Sequence, residues 1–451
     1  MQGDPRLVRR ASAFAEAFAR RPDRALPHVV DSDAEREGMY RMLRNDRLGF
    51  EELVEAQQHR TRERALQAKR VVVVHDTTEC SFAHADGDEV GWLNQSRPGF
   101  LVHHSLVLDT NARPLGVIWS TAWARPKPKG RGRKKRLSGK ELARQESRES
   151  DRWIESVEQS GAWLSDVDCV HIMDREADNF RLLEDMIANG HELIVRLCYP
   201  RRARHASDDE WTALPELFCE RPPLFEREVK LSRRVPRSTP RIHHPARAAR
   251  EATLTARAGS LWLKPPPYLS KSNPLRVNVV QIREEHPPKG EARVEWILLT
   301  TKSIDTRVQV ESIIDLYRLR WLIEEFHRAL KSGCLLEKRH LESFEALTTM
   351  VAFAYAVACE LLWLRARSRD SPNAPASEVL SEPLLTCLRA HPKVALRSGC
   401  SARDALVAIA KLGGYISRRD PPGWQTLGRG YHQLQAFAAG WAAAIATKAT
   451  S

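Results

Sequence analysis

Residues 6–68 repeat apolar and basic positions at helical spacing. LVRRASAFAEAFARR, AEREGMYRMLR (34–44) and residues 49–68 predict three helices. At Val71 the texture changes. VVVVH is short and β-branched, which predicts a buried strand. LVHHSLVLDT and PLGVIWSTAWA predict two more, with a turn near Asn111–Ala112, so an antiparallel meander is expected. Further along, VDCVHIM (167–173) reads as a strand and READNFRLLEDMIANG (175–190) as a helix stopped at Gly190, and ELIVRLCY reads as another strand. Residues 200–295 carry short alternating runs (EREVKLS, TLTARAG, RVNVVQI) among Pro and Arg, the pattern of a β-rich insertion. WILLTT then leads into one long helix over about 308–332, and residues 402–447 read as two helices parted by Gly413–Gly414 and Pro421–Pro422–Gly423.

One apolar stretch, ALTTMVAFAYAVACELLWL (346–364), has the length of a membrane span. Glu360 interrupts it and no second span accompanies it, so a buried core helix is expected. The first ten residues hold no apolar signal segment, which argues for a cytoplasmic protein.

Composition adds a partner. Across 451 residues, 42% are apolar and 29% charged, which fits a folded chain of about three domains. Lys plus Arg number 71 against 58 acids, a net charge of +13. That excess favours a polyanion, nucleic acid before an anionic membrane surface. The basic run RPKPKGRGRKKR (125–136) is either a solvated loop or a phosphate contact. The eight cysteines form no C-x-x-C pair and the 16 histidines no HExxH, so a zinc site is not expected.

Three carboxylates stand out. Asp76 follows Val71–His75 and Asp174 follows Val167–Met173, each at the expected end of an apolar strand, where α/β sheets bind ligands. Either could equally be a turn or cap residue. On an ideal helix, Tyr317, Arg320, Glu324, Arg328 and Lys331 share one face, while Leu316, Leu319, Ile323, Phe326 and Leu330 share the opposite one. That polar face is either a solvated surface with i,i+4 ion pairs or the third contributor to a metal site. Two divalent ions about 3.5–4 Å apart need carboxylates from several elements. Mg²⁺ completes its shell with water and phosphate oxygens, which Arg320 and Lys331 are suited to hold.

These motifs resemble the DDE transposases of bacterial insertion sequences, in the insertion-sequence-four family typified by transposon five. VVVVHDTTECSF (71–82) resembles the first-Asp block and HIMDREADNF (171–180) the second. IDLYRLRWLIEEFHRALKSG (314–333) keeps every spacing of the Tyr-x2-Arg-x3-Glu-x6-Lys signature. Weaker likeness in GMYRMLRN, WILLTT and IAKLGGY extends it over nearly the whole chain.

The resemblance implies an α/β fold. Its RNase H-like mixed-sheet catalytic core spans 69–366, with a β-rich insertion at about 200–300. A helical DNA-binding domain (1–68) and a helical C-terminal dimerisation domain (367–451) flank it. Asp76, Asp174 and Glu324 would be the catalytic, metal-binding triad, with two Mg²⁺ per site and Mn²⁺ as substitute. Tyr317, Arg320 and Lys331 would contact transposon-end phosphates, with Arg328 beside them on the helix face. Trp296 would stack on a flipped base, with Trp321 near it. Arg41 and Arg44, near Tyr40, are candidates for end contacts.

The implied reaction is cut-and-paste transposition through a hairpin. Its partners are double-stranded DNA (terminal inverted repeats and target) and a second copy of the chain, with no membrane and a nucleoid-associated location. A transposase-derived DNA-binding protein without catalysis and a stand-alone RNase H-like nuclease are the alternatives. Two departures stand out. GDPR begins at Gly3 where the family carries about two dozen residues before it, and the 125–136 loop is basic where the typified member is acidic. The first implies either impaired end binding or a true start upstream of Met1, and the second an extra DNA contact.

Overall fold

The computed structural model describes residues 4–128, 149–219, 221–234, 236–239, 242–244, 246–394, 396–416 and 421–450. The chain divides into two compact units. The first is Met1–Lys134, Ala162–Asp168 and Trp321–Ser451; the second is Lys135–Gly161 and Cys169–Arg320. The helices at the two chain ends therefore fall in the unit that also holds the first three strands.

The first unit opens with α1 (Pro5–Arg20), α2 (Asp33–Leu43) and α3 (Phe50–Ala68), as the periodicity predicts. A capping box starts α2: Ser32 Oγ accepts from the Glu35 N–H at 3.2 Å, and Glu35 accepts from the Ser32 N–H at 3.1 Å. Strands β1 (Arg70–Ser81), β2 (Gly99–Asp109) and β3 (Pro114–Ala124) form the expected antiparallel meander, in register from Val71 opposite Asp109 to Ser81 opposite Gly99. Helix α3 lies so close to β3 that Thr61 Oγ1 donates to the Val117 carbonyl at 3.2 Å. Gly116, at φ 143°, permits this, since a Cβ there would stand 2.2 Å from Thr61 Oγ1.

The apolar stretch 346–364 lies within a core helix, α8 (Phe344–Asp370). Its most apolar window is 83% buried. Phe14 of α1 meets Phe353 edge-on at 4.9 Å, and Gln57 of α3 donates to the Ala352 carbonyl at 2.6 Å. Glu360, the charge that interrupts the apolar run, accepts from the Tyr431 hydroxyl. Three helices follow, α9 (Glu382–Ala390), α10 (Ala402–Leu412) and α11 (Trp424–Thr450). Trp424, Leu427, Tyr431 and Leu434 of α11 are buried, whereas Trp441 and Ile445 are exposed.

The second unit holds α4 as far as Gly161 (the helix spans Arg152–Trp163), β4 from Cys169 (the strand spans Asp168–Met173), α5 (Phe180–Ala188) and β5 (Glu192–Arg196). β4 and β5 are parallel, Met173 beside Val195. The β-rich insertion is present: β6 (Arg202–Arg204), β7 (Thr212–Ala213), β8 (Phe225–Leu231), a small ribbon of β9 (Arg237–Thr239) and β10 (Ile242–His244), β11 (Arg250–Leu263) and β12 (Leu275–Glu284). β12 pairs antiparallel with β13 (Glu295–Thr300), and β13 with β5, so parallel and antiparallel neighbours share this sheet. Trp153, Phe180, Phe218, Leu261 and Leu299 are among the side chains of its core. The chain is thus mixed α/β, consistent with the expected RNase H-like transposase core.

Two expectations need correction. The single helix of 308–332 is three pieces: α6 (Arg307–Arg318), α7 (Trp321–Arg328) and a π-helical turn, Ala329–Gly333. The Leu319 and Arg320 amides bond three residues back, to Leu316 at 3.0 Å and Tyr317 at 3.1 Å, so the last turn of α6 tightens and ends. The division between units falls there, between Arg320 and Trp321. Second, Asp76 does not end its strand; β1 runs on to Ser81.

Candidate active site

In the first unit the pairing register decides which groups meet. Asp76 lies opposite His104, so their side chains share one sheet face, with Thr78 and Cys80 following on β1. His104 Nδ1 stands 3.2 Å from His327 Nε2 of α7, and its ring meets Phe326 edge-on at 5.5 Å. Glu324 is one turn before His327. Helix α7 therefore packs, through His327 and Phe326, on the sheet face that carries Asp76. Lys331, on the π-helical turn, acts electrostatically on both His104 and Cys80. Such turns often mark functional positions.

Burial lowers the His104 pKa to about 3, helped by the Lys331 charge, and burial alone lowers His75 to about 3. Both imidazoles are neutral at physiological pH. Asp76 is half-buried and its Oδ1 accepts from the Thr77 N–H at 2.8 Å; Glu324 is half-buried too.

In the second unit Asp174 does end its strand. Its Oδ1 accepts from the Glu176 N–H at 2.8 Å and caps a short 3-10 turn, so the capping role read from the sequence is real. Around it stand cations and aromatic rings. Arg196 ends β5, the parallel neighbour of β4, and its guanidinium lies 6.0 Å from the Trp296 ring centroid. Trp296 meets Tyr317 edge-on at 5.4 Å. Arg196 is within hydrogen-bonding reach of the Tyr317 hydroxyl, and Arg175 and Arg320 act on the same pair. Burial raises the Tyr317 pKa and lowers that of Arg196.

Three site expectations change with this geometry. Tyr317, placed by the helical wheel on a solvent-facing polar side, is 4% exposed. The helix breaks after it, so the five polar residues do not follow one wheel. Glu324 and Arg328 keep their i,i+4 relation within α7, whereas Tyr317 lies in the last turn of α6 and Arg320 in the link that follows it. Arg196 and Arg175 are additions. The signal for Arg196 was its place at the end of ELIVR, beside the strand that Asp174 ends. Trp321 is 42% exposed, with Arg328 5.0 Å from its ring centroid. Arg41 and Arg44 are exposed, and Arg41 reaches Glu37 at 3.5 Å. Of the basic loop, residues 125–128 are described, with Lys127 4.2 Å from the Trp92 ring centroid; 129–136 lie outside the described residues.

Hard carboxylate oxygens are the donors that divalent Mg²⁺ or Mn²⁺ prefers. Among the described residues no group of three or more His, Cys, Asp or Glu is gathered as a ready metal cage. Mg²⁺ does not require one, because one or two carboxylates plus water and substrate phosphate commonly hold it. Asp76, Glu324 and Asp174 are therefore chemically fit as ligands.

Residues 141–359 match the family described as "Transposase DDE domain". Over those residues the chain is similar to DDE transposase domains. The matched transposase region contains Asp174 and Glu324 and begins after Asp76. Residues 2–48 match "Transposase DNA-binding", a range that includes Arg41 and Arg44. A solved structure with a distant likeness is a cryo-EM structure of the piggyBac transposase synaptic complex with hairpin DNA. It is 10% identical, with a TM-score of 0.35 over 80% of this chain. This chain spans 66% of the length of that one, just under two thirds.

Proposed function

We propose that the protein is a DNA transposase of the bacterial insertion-sequence type, acting by hairpin-forming cut-and-paste. The match of residues 141–359 to a DDE transposase domain carries this reading. The motif resemblance supplies the finer type. Asp76, Asp174 and Glu324 are the acids assigned to two Mg²⁺ ions, with Mn²⁺ as substitute; when bound, these ions supply Lewis-acid stabilisation of the oxygens entering and leaving phosphorus.

The chain's own groups then position the strand. Arg320, Arg196 and Lys331 suit phosphate oxygens, the arginines through a planar fork and the lysine as a point charge. Trp296, half-buried against Tyr317, offers a ring edge and face for a base taken out of the stack. Tyr317 is buried and acts through Trp296 and Arg196; it is not a nucleophile. Water replaces the 3′-oxygen at phosphorus at the element end. The freed 3′-hydroxyl replaces the bridging oxygen on the opposite strand and closes a hairpin. Water reopens it, and the same hydroxyl joins target DNA. Each step exchanges one phosphorus–oxygen bond for another, so no protein–DNA covalent bond is needed.

The partners proposed are inverted-repeat DNA, read by the N-terminal helices with Arg41 and Arg44, target DNA, and a second copy of the chain in the nucleoid-bearing cytoplasm. Trp441 and Ile445, 39% and 57% exposed on α11, support the dimer. The test is incubation of purified protein with its flanking inverted-repeat DNA and Mg²⁺ or Mn²⁺. End-specific hairpins on the element ends, with the flanking DNA released unsealed, are expected. Indiscriminate nicking would favour a nuclease, and binding without cutting a non-catalytic DNA-binding protein.

A further inference from the structure

The second unit contains a concave cavity of about 1070 Å³ that none of the assigned roles uses. Its floor is built by the last Asp of the DREAD motif, Asp178. Asp178 is fully buried and paired with Arg201, whose Nε donates to Oδ1 at 2.7 Å. Asp178 Oδ2 accepts the amides of Cys198 at 2.8 Å and Tyr199 at 2.9 Å. A carboxylate with this many partners fixes the backbone that carries Tyr199. Opposite, the Lys264 amide bonds to the Arg202 carbonyl at 2.9 Å, and three prolines, 265–267, lead to Tyr268 on a short 3-10 turn. Arg202 donates to the Trp211 carbonyl at 2.6 Å.

The lining is aromatic and cationic. Tyr199 is 59% exposed and Tyr268 40%, although both rest on ordered backbone. Lys264 stands 5.7 Å from the Trp211 ring centroid. The acids on the wall are answered: Asp178 by Arg201 at 2.5 Å, and Glu176 by Arg152 at 3.0 Å. Arg202 and Lys264 leave the mouth positive.

We infer that this cavity seats an unpaired stretch of DNA strand, with bases stacked on Tyr199 and Tyr268 and phosphates drawn to Arg202 and Lys264. Exposed aromatic faces interleaved with cations form the platform that single strands use, since every base offers a π-face. Bases inside a duplex stack on one another and are not available to such rings. The cavity slightly exceeds the roughly 300–1,000 Å³ that encloses a drug-sized ligand, so more than one nucleotide fits. It is a stacking site additional to Trp296, and it rests on the reading of the chain as a DNA-processing enzyme.

Full-length protein would be titrated with a labelled short oligothymidylate and, separately, with the blunt inverted-repeat duplex. Tyr199→Ala and Tyr268→Ala are each expected to weaken oligothymidylate binding about 5- to 150-fold, the range of one lost base stack. Duplex binding should stay unchanged, and Tyr199→Phe should restore the single-strand affinity. Lys264→Gln should reduce the slope of log K against log salt by about 0.7, one single-strand phosphate contact. Wild-type affinity in both alanine variants, parallel loss of duplex binding, displacement of the oligomer by millimolar thymidine monophosphate, or no oligomer binding by the wild type would each overturn the assignment. Cutting of the inverted-repeat duplex is scored on the same preparations. Cutting with oligomer binding indifferent to the tyrosines sinks the strand site alone; tyrosine-dependent oligomer binding without cutting sinks the transposase reading alone.

Discussion

The acids contributed by the two units sit in opposite surroundings. In the first, Asp76 lies within a continuous strand on a face shared with buried, neutral His104 and Cys80, and Glu324 is one turn before His327. Lys331 acts on His104, Arg328 follows Glu324 by one turn, and Phe326 and Tyr355 pack against the His104 ring. In the second, Asp174 ends its strand among Arg175, Arg196 and Arg320, with Trp296 and Tyr317 against them. Buried packing around His104 and Phe326 underlies the face that carries the first unit's acids. A ring of guanidiniums and indole instead suits phosphate and base. Under the proposed function the two acids of the first unit serve the ion-holding side, while the groups around Asp174, itself assigned to the ions, form the strand-holding side.

The largest expected effect breaks the division on its ion-holding side. Glu324→Gln keeps shape and removes charge, so cutting should fall at least about 10³-fold, several kcal/mol of lost transition-state stabilisation, with DNA binding retained. Asp174→Asn should do the same although its neighbours are cationic. Gel-resolved cleavage in Mn²⁺ reads both. If Asp174→Asn cuts at the wild-type rate, the acid of the second unit is only the cap that its bond to Glu176 makes it.

Next comes the frame beneath the strand-holding side. Arg201→Ala leaves the fully buried Asp178 carboxylate without its partner, which should destabilise the second unit by about 3–5 kcal/mol. Urea unfolding with limited proteolysis should show residues 169–320 opening before the first unit. Simultaneous opening would mean the units do not differ in how they are held.

Trp296→Ala is expected to slow hairpin closure about 5- to 150-fold, the range of one lost base stack, while the first nick proceeds nearly unchanged. Single-turnover time courses separate the steps. Equal slowing of both would make Trp296 a packing residue for Tyr317.

Much of this was legible because periodicity survives where one face is buried. The meander β1–β3, the core helix Phe344–Asp370 and the C-terminal helix pair follow the expected pattern. What failed has physical causes. The break after Arg318 carries no Pro or Gly; the helix ends by tightening its last turn, and apolar spacing continues straight through. The polar tail Asp76–Ser81 masked the true length of β1, whose alternation weakens where Thr, Glu and Cys succeed one another. Tyr317 read as surface because a hydroxyl beside arginines fits a wheel, yet Trp296, far away in sequence, covers it. Arg196 and Asp178 went unremarked because their meaning comes from a parallel neighbour and from backbone amides twenty residues on.

The smallest effect sharpens the contrast on the exposed side of α7. Arg328 lies over Trp321 at 5.0 Å, and both are exposed, so their cation–π contact contributes about 0.5–1 kcal/mol at most. Arg328→Gln should therefore barely move the melting temperature. If Arg328 meets a duplex phosphate, the same change should lower the slope of log K against log salt by about 0.9, and equally for specific and unrelated sequences. An unchanged slope would make the Trp321–Arg328 pair surface packing, and phosphate holding would then fall to Lys331 in the first unit and to Arg196 and Arg320 in the second.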